Sequence, residues 1–357
     1  MKLLGQYQWT VIGAGPAGMA VVGKLIDRGV SPKEIAWIDP EFKVGDFGTR
    51  WRNVSSNTKV DLFIKFLENI HAFDYANYAD RAKDYTLHQI DPNETCWLRD
   101  AANPLQWASD QLKTKVNSMT AMALKLKMLN RHWQITLEDK NTGLVSTIQS
   151  KNVVLALGSE PKTMPSPVPI IPLSEALDTE HLSGWVEPTD TVAVFGASHS
   201  AVIVIRLLLE LGVKQVINFY RSPLRYAVYM ENWILFDNTG LKGQTAKWAR
   251  EHIDGNMPEN LTRVWASEEN IQAYLPLCHK AVQAIGFKPR SVTIEGMPVV
   301  EHNDKSGIIA PGLFGFGIAF PETTVDPFGN VETSVGLWKF LNYLNRVISV
   351  WEKYGVE

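Results

Sequence analysis

The sequence predicts an α/β chain of two three-layer units, the second set inside the first. Three observations carry this. A strand, glycine turn, helix and strand follow one another twice, over Trp9–Asp39 and Thr191–Arg221. A short apolar strand ending in glycine also occurs twice, over Lys151–Gly158 and Ala281–Gly286, as a chain that leaves one unit and later returns would need. The 357 residues, 45% of them hydrophobic, are enough for two cores.

In chain order, Trp9–Ile12 reads as a buried strand and Pro16 to about Gly29 as a helix, with glycine at its end where a left-handed cap is favoured. Glu34–Asp39 is the second strand. Pro104–Val116 has helical spacing. Ala121–Leu129 and His132–Leu137 read as strands joined at Asn130-Arg131. Prolines 161, 165, 167, 169 and 172 mark a crossover. Thr191–Phe195, a helix to Gly212 and Gln215–Arg221 form the second unit, and Glu332 to about Lys353 is expected as one long amphipathic helix. The expected division is 1–165 and 285–357 for the outer unit and 166–284 for the inserted one.

Composition narrows the function. Thirty-five basic against 38 acidic residues give a net charge of −3, unsuited to coating nucleic acid. Two distant cysteines, Cys96 and Cys278, exclude a disulfide scaffold, a Cys-x-x-Cys relay and a cysteine-rich zinc site, and read as reduced thiols of a cytoplasmic protein. No run approaches the ~18–20 apolar residues of a membrane span. The best, Ala201–Leu211, is broken by Arg206 and Glu210.

Gly13, Gly15 and Gly18 spell G-x-G-x-x-G between strand and helix. The first glycine permits the turn, the second lets backbone approach a pyrophosphate, and the third lets helix and strand meet. Pro16 suits the first helical position and Ala17 follows it. Asp39 ends the next strand about twenty residues on, where a carboxylate meets a ribose hydroxyl. The alternative is a glycine turn with no ligand. The second turn, Gly196-Ala-Ser-His-Ser-Ala201, keeps one glycine and a small last residue. Ser198, His199 and Ser200 lie beside the expected phosphates, and no His or Cys stands at metal-ligand spacing from His199, so no metal is expected. Arg221 replaces the acid at the ribose position. It can grip a 2′-phosphate, which favours NADPH over NADH, or it is simply a solvated strand-end cation.

Two such units, one nested in the other, resemble the two-dinucleotide-binding-domain flavoproteins, and the resemblance spans essentially the whole chain. It implies Rossmann-like domains with FAD on the outer unit and NAD(P)H on the inserted one, and Arg221 makes that NADPH. Leu155-Ala-Leu-Gly-Ser159 (with Gly158) and Gln283-Ala-Ile-Gly-Phe287 are similar to the crossing segments, and Pro311–Gly317 to the segment beside the flavin. Trp51-Arg-Asn-Val-Ser-Ser-Asn-Thr-Lys59 resembles the flavin-containing monooxygenases. This implies a cofactor role for Trp51 and an active-site role for Asn57, near the flavin and nicotinamide. The other reading of Asn57 is a cap on a turn or on the following helix. Ile318 follows Gly317 where the superfamily carries an acid, and the Phe-x-Gly-x-x-x-His-x-x-x-Tyr signature is absent.

The leading expectation is an NADPH-dependent FAD monooxygenase acting with molecular oxygen on a nitrogen or sulfur centre of a small molecule. The alternatives are a flavin reductase or dehydrogenase without oxygen transfer, and a non-catalytic nucleotide sensor. Substrate specificity is assigned to loops such as Tyr75–Arg99 and Pro321–Asn330, with Arg225 and Tyr226–Asn232 at an entrance. A homodimer is compatible with the sequence, which does not fix the oligomeric state.

Overall fold

The computed structural model describes residues 2–75, 77 and 84–355. Residues 76 and 78–83 of the expected substrate loop Tyr75–Arg99 lie outside the described residues.

The first unit begins with strand β1 (Lys2–Ile12), helix α1 (Pro16–Asp27) and strand β2 (Ile35–Asp39). Every residue of β2 is buried, as expected of a parallel strand covered on both faces. Then come β3 (Ser55–Lys59), α2 (Val60–Glu68), β4 (Thr95–Trp97), α3 (Leu98–Lys115), β5 (Asn117–Leu129), β6 (His132–Asp139) and β7 (Val145–Leu155). β1 lies between β2 and β7, parallel to both, and the start of β5 adds beside β2. The rest of β5 runs antiparallel to β6, which returns to β7. Helix α3 starts six residues before the expected Pro104 and carries that proline inside it. Its start is fixed by Asp100, whose carboxylate accepts the Trp97 N–H at 3.1 Å.

β8 (Ser159–Pro161) leads out, and β9 (Ile170–Ile171) already belongs to the second sheet. That sheet contains β10 (Thr191–Phe195), followed by α4 (His199–Glu210), β11 (Gln215–Tyr220), the small hairpin β12 (Val228–Tyr229) and β13 (Ile234–Leu235), α5 (Gly243–His252), β14 (Leu261–Trp265) and β15 (Lys280–Gln283). Its order is β14-β11-β10-β15-β9, all parallel, with the hairpin outside it. Gly29 and Gly212, just past α1 and α4, have φ of 89° and 72°, the left-handed caps expected of them.

β16 (Phe287–Pro289) pairs antiparallel with β8, so the two crossings form one thin ribbon. β17 (Thr293–Ile294), β18 (Ile308–Ala310) and β19 (Leu313–Gly315) rejoin the first sheet, β19 beside β7. A hairpin of β20 (Glu322–Val325) and β21 (Val331–Ser334) precedes the last helix, α6 (Leu337–Lys353). The helix expected from Glu332 therefore starts five residues late. Gly336 at φ 139° breaks the helical path, and upstream of it burial alternates residue by residue, a strand period. α6 lays Leu344, Val347 and Trp351 against the first core, and Phe314 stacks on Trp351 at 5.1 Å. Truncating this fully buried tryptophan to alanine should cost about 3–5 kcal/mol. Among the described residues no helix is long and apolar enough to cross a membrane.

Candidate functional site

The first turn joins β1 to α1. Gly13 sits at φ 111°, and a Cβ there would lie 2.2 Å from the Ala156 carbonyl oxygen. A Cβ on Gly18 would lie 1.9 Å from the Gly13 carbonyl oxygen. Both glycines are demanded by the fold. Gly15 is not: its φ is −71°, and a Cβ would find only the Val44 carbonyl oxygen, at 3.9 Å. Pro16 occupies the first turn of α1, and among the described residues no acidic side chain caps that end, so its N–H groups face outward for an anion. Gly317, at φ 81°, seats the late segment on Ala17: a Cβ there would meet that of Ala17 at 2.6 Å.

Asp39 is 8% exposed and already engaged. One carboxylate oxygen accepts the Ala14 N–H at 2.7 Å, and the other accepts those of Glu41 and Phe42 at 2.8 and 2.7 Å. The acid braces the glycine turn from the end of β2, so a ribose hydroxyl would share it with three backbone donors. Trp37 adds a second brace, its indole N–H donating to the Gly13 carbonyl at 3.0 Å.

Beyond β2 the chain folds over Gly15. Asp46 pairs with Arg290, whose backbone N–H donates to the Gly158 carbonyl at 3.0 Å. Gly158 has φ 73°. This pair clamps the loop to the returning strand, and sequence reasoning missed both members because they stand far apart in the chain. Trp51 turns toward the second unit and meets Phe287 edge-on at 5.7 Å. Asn57 lies exposed on β3, its oxygen accepting the Thr58 hydroxyl at 3.3 Å. The capping alternative for Asn57 does not hold for the helix: Lys59 is the N-cap of α2, and no side chain bonds its first turn.

The second turn repeats the backbone of the first. Gly13 N–H donates to the Ile38 carbonyl at 2.8 Å, and Gly196 N–H to the Phe219 carbonyl at 2.9 Å. Gly196 has φ 128°, and a Cβ there would lie 2.4 Å from the Ala284 carbonyl oxygen but 3.2 Å from the Ala201 Cβ. Alanine already occupies the last position, as Ala201. Ser198 is the exposed N-cap of α4, its hydroxyl making no capping bond, and His199 and Ser200 open the helix. Both ring nitrogens of His199 are buried without a hydrogen-bond partner of ordinary geometry among the described residues. Burial pushes its pKa down to about 4; the Ser55 backbone opposes this, and the Arg206 and Lys242 charges add to it. The ring is neutral at physiological pH.

Arg221 is exposed one residue past β11, and no hydrogen bond or ion pair engages it among the described residues. Two further polar residues support this edge. Asn218, 0% exposed, donates to the Val194 and Gly196 carbonyls at 2.9 and 2.8 Å and accepts from Arg263 Nε at 2.9 Å. The Arg263 guanidinium lies over the Tyr220 ring at 4.5 Å. An asparagine inside the apolar run Val216–Phe219 was the available sequence signal for this network. The cysteines are free and buried, and burial raises Cys96 to about 12 and Cys278 to about 11, so neither is a ready thiolate.

Two glycine turns of this kind, one on a mixed sheet and one on a parallel sheet nested within it, define a dinucleotide-binding fold. The chain belongs to the pyridine nucleotide-disulphide oxidoreductase family, whose sequence pattern matches residues 7–309. It is similar to Monooxygenase AgnR1 of Paecilomyces divaricatus, 33% identical over 386 residues, covering 96% of this chain and 97% of that one. It is a pyridine-nucleotide-dependent oxidoreductase by family. The fold resembles the Kutzneria sp. 744 ornithine N-hydroxylase KtzI, with TM-score 0.68, 13% identity, and 98% of this chain and 99% of that one covered. It also resembles the bacillithiol disulfide reductase of Staphylococcus aureus, with TM-score 0.62, 14% identity and 99% of each chain covered. A monooxygenase and a reductase thus share this fold, and the fold does not choose between them.

Proposed function

We propose that the chain binds FAD on the first turn and NADPH on the second, and oxidises a nitrogen or sulfur centre of a small molecule with molecular oxygen. The observation that carries the FAD assignment is Gly15. Among the described residues nothing requires glycine there, whereas a pyrophosphate approaching the start of α1 does. Gly13 and Gly18 shape the turn, Pro16 and Ala17 begin the helix, and Asp39 holds Ala14 while offering its remaining lone pairs to a ribose. Gly158 and Gly317 bring two further backbone segments to the same place, and Trp51 walls the side toward the second unit.

NADPH is assigned to Gly196, Ser198, His199, Ser200 and Ala201, with Arg221 holding the 2′-phosphate through charge-assisted bonds. Bound FAD supplies hydride acceptance and the reaction with oxygen. The protein's part is to orient, to exclude water and to place an amide, Asn57, that both donates and accepts hydrogen bonds. The free buried cysteines suit a reducing cytoplasm. The test is the absorption spectrum before and after anaerobic NADPH, followed by oxygen. Bound flavin should bleach, then recover with one oxidised product per NADPH. Recovery that yields only hydrogen peroxide with every candidate amine, thiol and thioether would refute oxygen transfer.

A further inference from the structure

The segment between β11 and α5 leaves the second sheet at Arg221, forms the β12–β13 hairpin and returns at Lys242. Its end is fastened to the first unit. Glu332, in β21, is 8% exposed and accepts the backbone N–H groups of Asn238 and Thr239 at 3.0 and 3.1 Å, and also the Thr239 hydroxyl. Asp237 pairs with Lys242 of its own segment and with Lys339 of α6 at 2.6 Å. The Asn238 side-chain oxygen accepts from Lys339 Nζ at 2.7 Å. Higher on the strap, Trp233 meets Phe328 edge-on at 5.5 Å, and Lys59 of β3 lies 5.7 Å from the Tyr229 ring centre.

Phe236, directly before Asp237, has φ 54°. An aromatic residue in the left-handed region is strained, and such strain persists only where surrounding contacts over-determine the backbone. The contacts present are those of residues 237–239.

We infer that Glu332 is a positioning residue: its carboxylate latches residues 238 and 239 and so fixes how the second unit is held against the first. This rests on the reading of the two turns as FAD and NADPH sites. The covalent link between the units is the β8–β16 ribbon, which pairs over three residues on each strand. Turning the second unit about this ribbon would break no hydrogen bond inside either main sheet. It would, however, displace Arg221 and the start of α4 from the first turn. The latch opposes that motion with residues outside the ribbon. On one side it holds the strap that begins at Arg221. On the other it stands in β21, five residues before the start of α6, the helix that packs on α1. Hydride transfer between two bound cofactors depends steeply on their separation, so a loosened latch slows the transfer step without weakening either binding site.

The test is Glu332→Gln, which places an NH₂ donor among donors at near-constant size. In the cofactor-free protein, hydrogen exchange at the Asn238 and Thr239 amides should quicken at least tenfold. With FAD bound one per chain, the limiting rate of flavin reduction should fall about tenfold, while half-saturation by NADPH stays within twofold. A uniform structural loss would not produce that split. Thr239→Val, which replaces the hydroxyl of an exposed residue by a methyl group of similar size, should shift both readouts in the same direction by less and guards against misfolding of the first variant. Unchanged protection at residues 238 and 239 would overturn the latch. Faster exchange with an unchanged limiting rate would overturn the positioning role. If the unmutated chain takes up no FAD, the cofactor reading fails and the positioning role fails with it, while exchange still decides whether the latch exists.

Discussion

The two glycine turns share a backbone and differ in what fills it. Each begins with a glycine at strongly positive φ, pressed against the carbonyl of an alanine, Ala156 or Ala284, that follows the neighbouring strand. The first then has open Gly15 where the second has Ser198, and Gly18 where the second has Ala201. One therefore presents bare backbone and a carboxylate, the other a hydroxyl, a neutral buried imidazole and a free guanidinium. The lesson is that the glycine opening each turn is set by sheet geometry and serves both, as Gly18 is by the packing of α1, while the remaining side chains differ between the turns.

The contrast breaks most sharply at the glycines. Gly13→Ala and Gly18→Ala should destabilise the cofactor-free protein by about 3 kcal/mol or more, because the new Cβ meets backbone that cannot yield. Gly15→Val should leave cofactor-free thermal stability nearly unchanged and abolish FAD uptake. A Gly15→Val protein that keeps stoichiometric flavin would show that the open glycine is not a ligand position.

His199 sharpens the second turn. Its folded pKa of about 4 lies below the ordinary histidine value, so between those pH values the unfolded chain takes up a proton that the native ring refuses. Its contribution is full above about pH 6.5 and is lost as pH falls toward 4, by on the order of 3 kcal/mol. Denaturation of wild type and His199→Gln across that range should show the slope only in wild type; parallel curves would mean the ring is accessible to protons.

Arg221→Ala comes next. Loss of a charge-assisted phosphate contact, about 1.5–3 kcal/mol, should lower kcat/KM for NADPH by roughly ten- to a hundredfold and spare NADH. Equal losses with both nucleotides would remove Arg221 from the phosphate site.

The smallest expected change in stability is at Asn57, whose exposed side chain caps no helix. Asn57→Ala should alter stability by less than about 0.5 kcal/mol. FAD content and reduction by NADPH should persist, while hydrogen peroxide released per NADPH rises. Unaltered coupling of NADPH use to product would end its assignment to the oxygen step.

Sequence alone determined both turns, their strands and helices, the left-handed caps at Gly29 and Gly212, and the replacement of an acid by Arg221. These are local: φ preference, side-chain size and hydrophobic period act over a few residues and are written in the order of the chain. The tertiary structure decided what depends on a distant partner. Val331–Ser334 has residues that suit either helix or strand, and pairing with Glu322–Val325 together with the Gly336 backbone made it a strand. The same pairing turned Glu332 toward Asn238 and Thr239. Asp46 meets Arg290 only because the chain returns to the first unit, and His199 loses water beneath Ser55 only because the second unit is set against the first. Burial and ion pairing are properties of assembled surfaces, and the chain's linear order carries no direct signal of them.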